Sequence, residues 1–252
     1  MAIACISCPS PNFDARPKDA PVDILLMHYT GMKTGAEALA RLCSKKARVS
    51  AHYTVDEDGA IYSHVPEECR AWHAGVSYWA GATDINARSI GIEIVNPGHE
   101  FGYRAFPEAQ IRAVIALAAD IQMRREIPSE RVLGHSDVAP ARKNDPGELF
   151  PWKTLAENGI GLWPDIPPPL WPRIPAPLTP LRIERRFAAK DDAFAAGLRR
   201  FGYGFAPDAK ATLEQAVIAF QRHFRRRKID GVPDAECERI LASLLVRLDG
   251  PL

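Results

Sequence analysis

A stretch of fourteen residues, GHSDVAPARKNDPG at positions 134–147, concentrates side chains that can bind a metal ion or move a proton. It contains His135 and Asp145, with Lys143 two residues before the aspartate. Asp, Asn, Pro and Gly also favour turns, so a polar surface loop without chemistry is the alternative interpretation. The choice depends on whether other parts of the chain supply complementary groups.

A second histidine that could take part in chemistry, His28, lies near the end of the apolar stretch VDILLMHYT at 22–30. This short, nearly continuous apolar run predicts a strand buried on both faces, where a polar side chain is costly. Functional groups collect at strand ends in α/β sheets. Together with His135 and Asp145, His28 forms a set of two imidazoles and one carboxylate, which is typical of catalytic zinc. Histidines with an ordinary polar role are the alternative.

A carboxylate for acid–base chemistry comes from the stretch RSIGIEIVN at 88–96. Its isoleucines alternate along a predicted strand, so Glu93 projects from the opposite face, beside a glycine that leaves room. A carboxylate near a metal-bound water can act as general base, and the ammonium of Lys143 can stabilise a developing oxyanion. A solvent-facing glutamate and a solvated lysine are the alternatives.

The elements that must position these residues follow from hydrophobic periodicity. The capping box Thr34-x-x-Glu37 begins a helix, and residues 51–65 are typical of a hairpin. Residues 107–126 carry the apolar stripe of an amphipathic helix. Strands and helices alternate through this region, which predicts an α/β domain with a mixed central sheet flanked by helices.

A proline-rich segment divides the chain, with 8 prolines among the twenty residues 161–180. Such density excludes helix and central strand. We therefore predict a first domain over 1–163, a linker over 164–180 and a second domain over 181–252. The last contains three helical patterns and no catalytic cluster, so it is predicted to be a small all-α domain with helices near 189–200, 211–226 and 234–248.

Composition narrows the function classes. The net charge of +1 argues against a nucleic-acid binder, and no apolar run is long enough to span a membrane. The five cysteines are scattered, and Cys5-x-x-Cys8 has no second pair, which suits a reducing compartment. We therefore expect a cytoplasmic protein; a periplasmic or envelope location is the alternative if the true start lies upstream. Oligomeric state is not predictable from these features.

Five motifs occur in an order that resembles a known family. They are HYT at 28–30, SAHYTVDEDG at 50–59, RAWHAGVS at 70–77, SIGIEIVN at 89–96 and GHSDVAPARKNDPG. Together they resemble the zinc-dependent N-acetylmuramoyl-L-alanine amidases of the AmpD/AmiD group, which share the fold of the peptidoglycan recognition proteins. The resemblance covers most of residues 20–155. It implies one Zn²⁺ per chain held by His28, His135 and Asp145.

The resemblance also implies roles for further residues. Glu93 corresponds to the catalytic carboxylate and Lys143 to the oxyanion partner. Six residues are candidates for contact with substrate. Trp72 and His73 correspond to the family's substrate groove. His52 and Tyr53 are candidates on weaker grounds, and Asn86 and Arg88 are candidates by their position in the sequence. A packing role for Trp72 is an equal alternative.

The second domain resembles the helical peptidoglycan-binding repeat that often follows such amidases. The motifs are LRRFGYG at 198–204, AVIAFQRHF at 216–224 and DGVPDAECERIL at 230–241. The chain departs from that repeat at Asp234, where glycine is usual, and at Cys237, where threonine is usual.

From the resemblance to the amidases we expect hydrolysis of the amide between N-acetylmuramic acid, or its 1,6-anhydro form, and L-alanine. Peptidoglycan fragments or sacculi are the expected partners. A non-catalytic peptidoglycan receptor and a wall-anchoring protein are the rival hypotheses.

Overall fold

The computed structural model describes residues 3–165 and 193–248 of the 252-residue chain. Eight strands and six helices form the first part. The strands are β1 (Ile6–Ser7), β2 (Phe13–Ala15), β3 (Ile24–Tyr29), β4 (Tyr53–Val55), β5 (Ile61–Ser63), β6 (Cys69–Ala71), β7 (Ser89–Ile94) and β8 (Val132–Gly134). The helices are α1 (Gly35–Leu42), α2 (Ile85–Arg88), α3 (Gly98–Phe101), α4 (Glu108–Arg125), α5 (His135–Val138) and α6 (Trp152–Glu157).

Six of the strands form one mixed sheet in the order β1-β5-β4-β7-β3-β8. Strand β3 lies at the centre of its parallel part, between β7 and β8, and β4 also runs parallel to β7. Strands β4 and β5 are antiparallel neighbours, which confirms the hairpin predicted at 51–65. Strands β2 and β6 form a separate antiparallel pair. The predicted α/β domain with a mixed central sheet is confirmed.

The two faces of the sheet have different roles. On one face Leu25 and Met27 of β3 pack with the isoleucines of β7 and with α4, which covers this side. On the other face His28 and Glu93 are register partners on β3 and β7. The strand alternation predicted for 88–96 is therefore confirmed, and the face that carries Glu93 is a site rather than open surface.

The second part of the described chain is helical. A helix over residues 193–201 (α7) precedes α8 (Leu213–Phe224) and α9 (Ala235–Leu248). Thr212 caps α8 through the predicted capping box, accepting from the backbone N–H of Gln215. The predicted all-α part is thus present. Most of the predicted linker, from 166 to 180, lies outside the described residues, and the boundaries 1–163 and 181–252 stay predictions.

The helical part shares a hydrophobic core with the sheet. Ile24, Leu26 and Leu133 on the site face of the sheet belong to the same buried cluster as Phe220 and Leu244 of α8 and α9. Trp79 adds to this cluster, with its ring 4.9 Å from that of Tyr203 between centroids. The two parts are therefore packed together as one body. Within 3–165 and 193–248, none of the helices is both long enough and apolar enough to cross a bilayer.

Candidate metal centre

Three buried side chains meet at the carboxyl ends of the central strands. His28 Nδ1 lies 2.9 Å from His135 Nδ1, and each nitrogen lies 3.0 Å from Asp145 Oδ2. All three residues are at most 5% exposed. The residues predicted as metal ligands from distant parts of the sequence are thus brought to one point.

The topology accounts for this convergence. Met27 and Gly134 are register partners on the parallel strands β3 and β8, so the residues that follow them, His28 and His135, lie side by side. The loop after α5 returns Asp145 to the same place, because the backbone N–H of Ser136 donates to the Asp145 carbonyl at 2.9 Å. The loop conformation therefore depends on backbone contacts as well as on the ligands themselves.

A chain of hydrogen bonds sets the tautomer of His28. The Ser89 hydroxyl donates to the Ile85 carbonyl at 2.6 Å, so its oxygen accepts from His73 Nε2–H at 3.4 Å. His73 Nδ1 is then unprotonated and accepts from His28 Nε2–H at 3.0 Å. This assignment leaves a lone pair on His28 Nδ1, directed at the point where the three side chains meet.

His135 is oriented in a similar way. Its Nε2 lies 3.1 Å from the Ala74 carbonyl, and in the tautomer that donates to this carbonyl Nε2 carries the proton and Nδ1 the lone pair. Arg142 lies 3.2 Å from the same Nε2, and its guanidinium donates to the carbonyls of Ala74 and Val76. The ring of His135 is therefore held from the side away from Asp145.

Two imidazole lone pairs and a carboxylate consequently face one another with no proton between them. Burial and the neighbouring His135 lower the pKa of His28 to about 4, so His28 is neutral at physiological pH. Burial alone would raise the pKa of Asp145, but His135 and His28 hold it well below its usual range. Three electron-pair donors at this spacing could hold a metal ion, and neutral imidazoles with a carboxylate suit a divalent metal such as zinc.

Glu93 adds an acid–base group beside the three ligands. Its Oε2 is buried and has no hydrogen-bond partner among the described residues. Burial and the nearby Asp145 raise the pKa of Glu93 to about 8, and Lys143 opposes this shift. A carboxyl group with a pKa near neutrality can both accept and return a proton.

These groups line one cavity of about 550 Å³. Trp72, His73 and Lys143 are among the lining residues, as the sequence predicts for a groove. His73 fits there because residue 91 is glycine: a Cβ at Gly91 would lie 2.6 Å from the His73 ring. The indole N–H of Trp72 is buried and has no partner among the described residues.

Four of the predicted substrate-contacting residues do not line this cavity. Tyr53 donates its hydroxyl to Glu67 at 2.8 Å, and Arg88 is paired with Asp23. His52 Nδ1 accepts from the Gly91 N–H at 3.0 Å, so it supports the strand from beneath.

Asn86, the fourth of these residues, has a comparable supporting role. Its side-chain oxygen accepts from the N–H groups of His73 and Ala74, at 3.0 and 2.7 Å. Its side chain thereby holds the segment that carries His73. We therefore leave Tyr53, Arg88, His52 and Asn86 out of the proposed contact set.

The structure also adds cavity residues that sequence reasoning missed. Arg142 lies between Val138 and Asp145 in the loop already singled out, and Arg41 is at the end of α1. Arg142 lies within the motif at 134–147, but the sequence of a polar loop does not indicate where an arginine side chain points. Arg41 offered none, because nothing in the sequence of α1 indicates which of its residues meet the cavity.

Comparison with known proteins connects this geometry to an enzyme family. The family model described as N-acetylmuramoyl-L-alanine amidase matches residues 18–148. N-acetylmuramoyl-L-alanine amidase AmiD of Escherichia coli is 40% identical over 244 residues, which span 89% of this chain and 82% of that protein. The 1,6-anhydro-N-acetylmuramyl-L-alanine amidase AmpD of Citrobacter freundii is 32% identical over 166 residues, spanning 57% of this chain and 84% of AmpD.

A solved structure extends the similarity to both parts of the fold. The complex of E. coli AmiD with anhydro-N-acetylmuramic acid-L-Ala-D-γ-Glu-L-Lys superposes with a TM-score of 0.74 and 36% identity, over 92% of each chain. The match therefore reaches beyond the 131-residue family segment and includes the helical part. With the ligand set, the cavity and the sheet all in place, the chain belongs to the N-acetylmuramoyl-L-alanine amidase family.

Proposed function

We infer that the chain hydrolyses the amide bond between N-acetylmuramic acid, or its 1,6-anhydro form, and the L-alanine of a peptidoglycan stem peptide. The observation that carries this inference is the meeting of three lone-pair donors beside Glu93, whose Oε2 has no hydrogen-bond partner among the described residues. Membership of the amidase family and the muropeptide bound by E. coli AmiD support the same bond and the same substrate class.

We propose that His28, His135 and Asp145 hold one zinc ion. When bound, zinc supplies Lewis acidity, which lowers the pKa of water towards about 7 and polarises a carbonyl. The residues of this chain have separate tasks. His73 and Ala74 fix the two imidazole rings through hydrogen bonds of 3.0 and 3.1 Å, so the ligands are oriented before the metal arrives.

Glu93 is the proposed proton carrier. Within the part of the chain that the structure describes, its Oε2 has no competing hydrogen bond, so it is available to take a proton from the attacking water. The same carboxyl then returns that proton to the departing alanine nitrogen, which must be protonated to leave as an amine. Burial and the neighbouring Asp145 raise the pKa of Glu93, which favours the protonated form from which this transfer starts.

Cationic residues of the cavity are the proposed partners of negative charge on the substrate. Lys143 stabilises the oxyanion that develops when water adds to the amide carbonyl. Arg41 lines the cavity and is exposed, which suits it to a carboxylate of the stem peptide. Trp72 offers its unpartnered indole N–H to a substrate oxygen.

The form of the substrate is tested by a paired digestion with zinc-loaded protein, followed by mass spectrometry. One reaction contains soluble 1,6-anhydro-muramyl tripeptide and the other contains intact sacculi. Cleavage of the soluble compound alone indicates recycling of wall fragments in the cytoplasm. Release of stem peptides from sacculi indicates wall remodelling in the envelope. If zinc is bound and neither substrate is cleaved, the proposed hydrolysis is wrong and a receptor role takes its place.

A further inference from the structure

Two cysteines that are far apart in sequence are in contact outside the metal centre. Cys8 Sγ lies 3.1 Å from Cys43 Sγ, although 35 positions separate the residues. Cys5, the neighbour of Cys8 in the isolated C-x-x-C, is exposed and directs its thiol to the carbonyl of Ile3. The structure therefore pairs Cys8 with Cys43 rather than with Cys5, and the cysteines are less scattered than their spacing indicates.

The backbone holds both cysteines in place. The N–H of Cys8 donates to the Ser63 carbonyl at 2.9 Å, which continues the pairing of β1 with β5. Cys43 is the C-cap of α1, and its N–H donates to the Leu39 carbonyl at 3.0 Å. Backbone hydrogen bonds position both residues, so the proximity of the two sulfurs is a property of the fold.

The pair suits a disulfide better than a metal ion. Two thiolates bound to one zinc at roughly 2.3 Å are separated by about 3.8 Å in tetrahedral geometry, which is more than the distance observed here. The third potential ligand, His64, is already engaged on both nitrogens. Its Nδ1 donates to the Cys8 carbonyl at 2.6 Å, and its Nε2 contacts Thr54 Oγ1 at 2.8 Å.

We propose that Cys8 and Cys43 are a redox modification site that closes to a disulfide by exchange with a small disulfide oxidant such as oxidised glutathione. One thiol, as thiolate, attacks a sulfur of the oxidant RSSR and displaces the first RS⁻. The other thiol displaces the second RS⁻ from the resulting mixed disulfide. The two thiol protons end on the two RSH molecules released, so the cysteines are oxidised and the oxidant is reduced.

The cross-link would fasten the N-terminal segment to a wall of the cavity. Ser10 already donates to the Leu42 carbonyl at 2.5 Å, and Asn12 donates to the carbonyls of Ser44 and Val49 at 2.9 and 2.8 Å. Leu42 and Val49 line the cavity. A disulfide at Cys43 would add a covalent bond to these contacts. The cavity wall could then move only together with the N-terminal segment.

The test is a redox titration of the metal-loaded full chain in glutathione buffers, from fully reduced to fully oxidised. Remaining thiols are alkylated under denaturing conditions and tryptic peptides are analysed by mass spectrometry. We expect a cross-linked pair that joins residues 1–18 to residues 42–45, lighter by two hydrogens than the separate peptides. Oxidation should also raise Tm by about 5–10 °C, because the disulfide closes a long loop.

Cys5→Ser is the matched control, because Cys5 and Cys8 share one tryptic peptide. This variant should retain both the cross-link and the Tm shift, and Cys8→Ser should lose both. Three results would overturn the proposal: both thiols alkylated in the most oxidising buffer, a cross-link that uses Cys5, or a second zinc bound by the reduced chain and lost in Cys8→Ser. If Cys8→Ser fails to fold, the wild-type titration and Cys5→Ser still decide.

Discussion

At the scale of single residues, the site depends on a carboxyl group placed beside a histidine on the neighbouring strand. Replacing Glu93 with Ala removes the proton carrier and leaves the three ligands intact. We expect kcat to fall by about 10²–10⁴, the range for lost acid–base help, with zinc content unchanged. Hydrolysis of the anhydro-muramyl tripeptide and metal analysis test this together. A loss of kcat below tenfold would exclude Glu93 as the base. Glu93→Gln is the control, because it keeps the side-chain volume and removes the carboxylate.

His73 gives a second prediction at this scale, because it orients a ligand through a hydrogen bond. In His73→Ala, His28 Nε2–H loses the acceptor that fixes its tautomer. We expect zinc affinity to fall by about 10–100-fold, as measured by competition with a chelator. The zinc affinity of His52→Ala is the comparison, because His52 lies one layer further from the proposed metal site. If zinc affinity in His73→Ala matches that of the wild type, His73 contributes only to the cavity wall.

At the scale of elements, Glu67 links the loop before β6 to the end of α4. Burial alone would raise its pKa, but hydrogen bonds from Arg124, Arg125 and Tyr53 outweigh burial and lower the pKa to about 2. The folded state therefore binds the proton less tightly than the unfolded state. The resulting stability is fully present above the unfolded pKa of about 4.5 and is lost as pH falls towards 2.

Glu67→Gln removes this acid-sensitive contribution. We expect the unfolding free energy at pH 7 to be lower than in the wild type by about 2 kcal/mol, and the gap to narrow as pH falls from 5 to 3. Chemical denaturation across this range measures both values. Glu68→Gln is the control, since Glu68 contacts Arg125 from an exposed position. A constant gap at all pH values would show that protonation of Glu67 is not the cause.

The elements also show what the sequence could predict. The alternation at 88–96 identified the two faces of β7, and the Pro-broken loop pointed to His135 and Asp145, which the structure brings together, because these signals are local. Strand order carries no such signal. Residues 6–7 and 13–15 pair with β5 and β6 through contacts that span more than fifty positions. The sequence also could not show that Arg88 and Asn86 lie outside the cavity, since their partners are set by chain packing rather than by neighbours in sequence.

At the scale of the whole molecule, the helical part and the sheet share one buried carboxylate. Asp137, two residues after the ligand His135, accepts from Tyr203 at 2.7 Å and from His223 Nδ1 at 2.8 Å. The backbone N–H of Gly134 donates to the same carboxylate at 2.7 Å. The loop that carries His135 is therefore held in part by side chains of the second domain.

Tyr203→Phe removes one donor from this carboxylate without changing the volume of the ring. We expect the unfolding free energy to drop by about 1–3 kcal/mol, because a buried acceptor loses a hydrogen bond. Denaturant titration measures this. Tyr62→Phe is the control, since the Tyr62 hydroxyl makes no hydrogen bond within the described parts of the chain. Equal unfolding free energies of Tyr203→Phe and Tyr62→Phe would show that the hydroxyl of Tyr203 does not stabilise the contact with Asp137.

The shared carboxylate also limits how such enzymes can be recombined. A chimaera that joins residues 1–163 to the helical domain of another amidase must provide a hydroxyl and an imidazole at the positions of Tyr203 and His223. Without them, Asp137 becomes a buried charge with too few partners, a cost of several kcal/mol. The helical part is thus not freely detachable, and any exchange of this part by grafting would have to conserve the contact with Asp137.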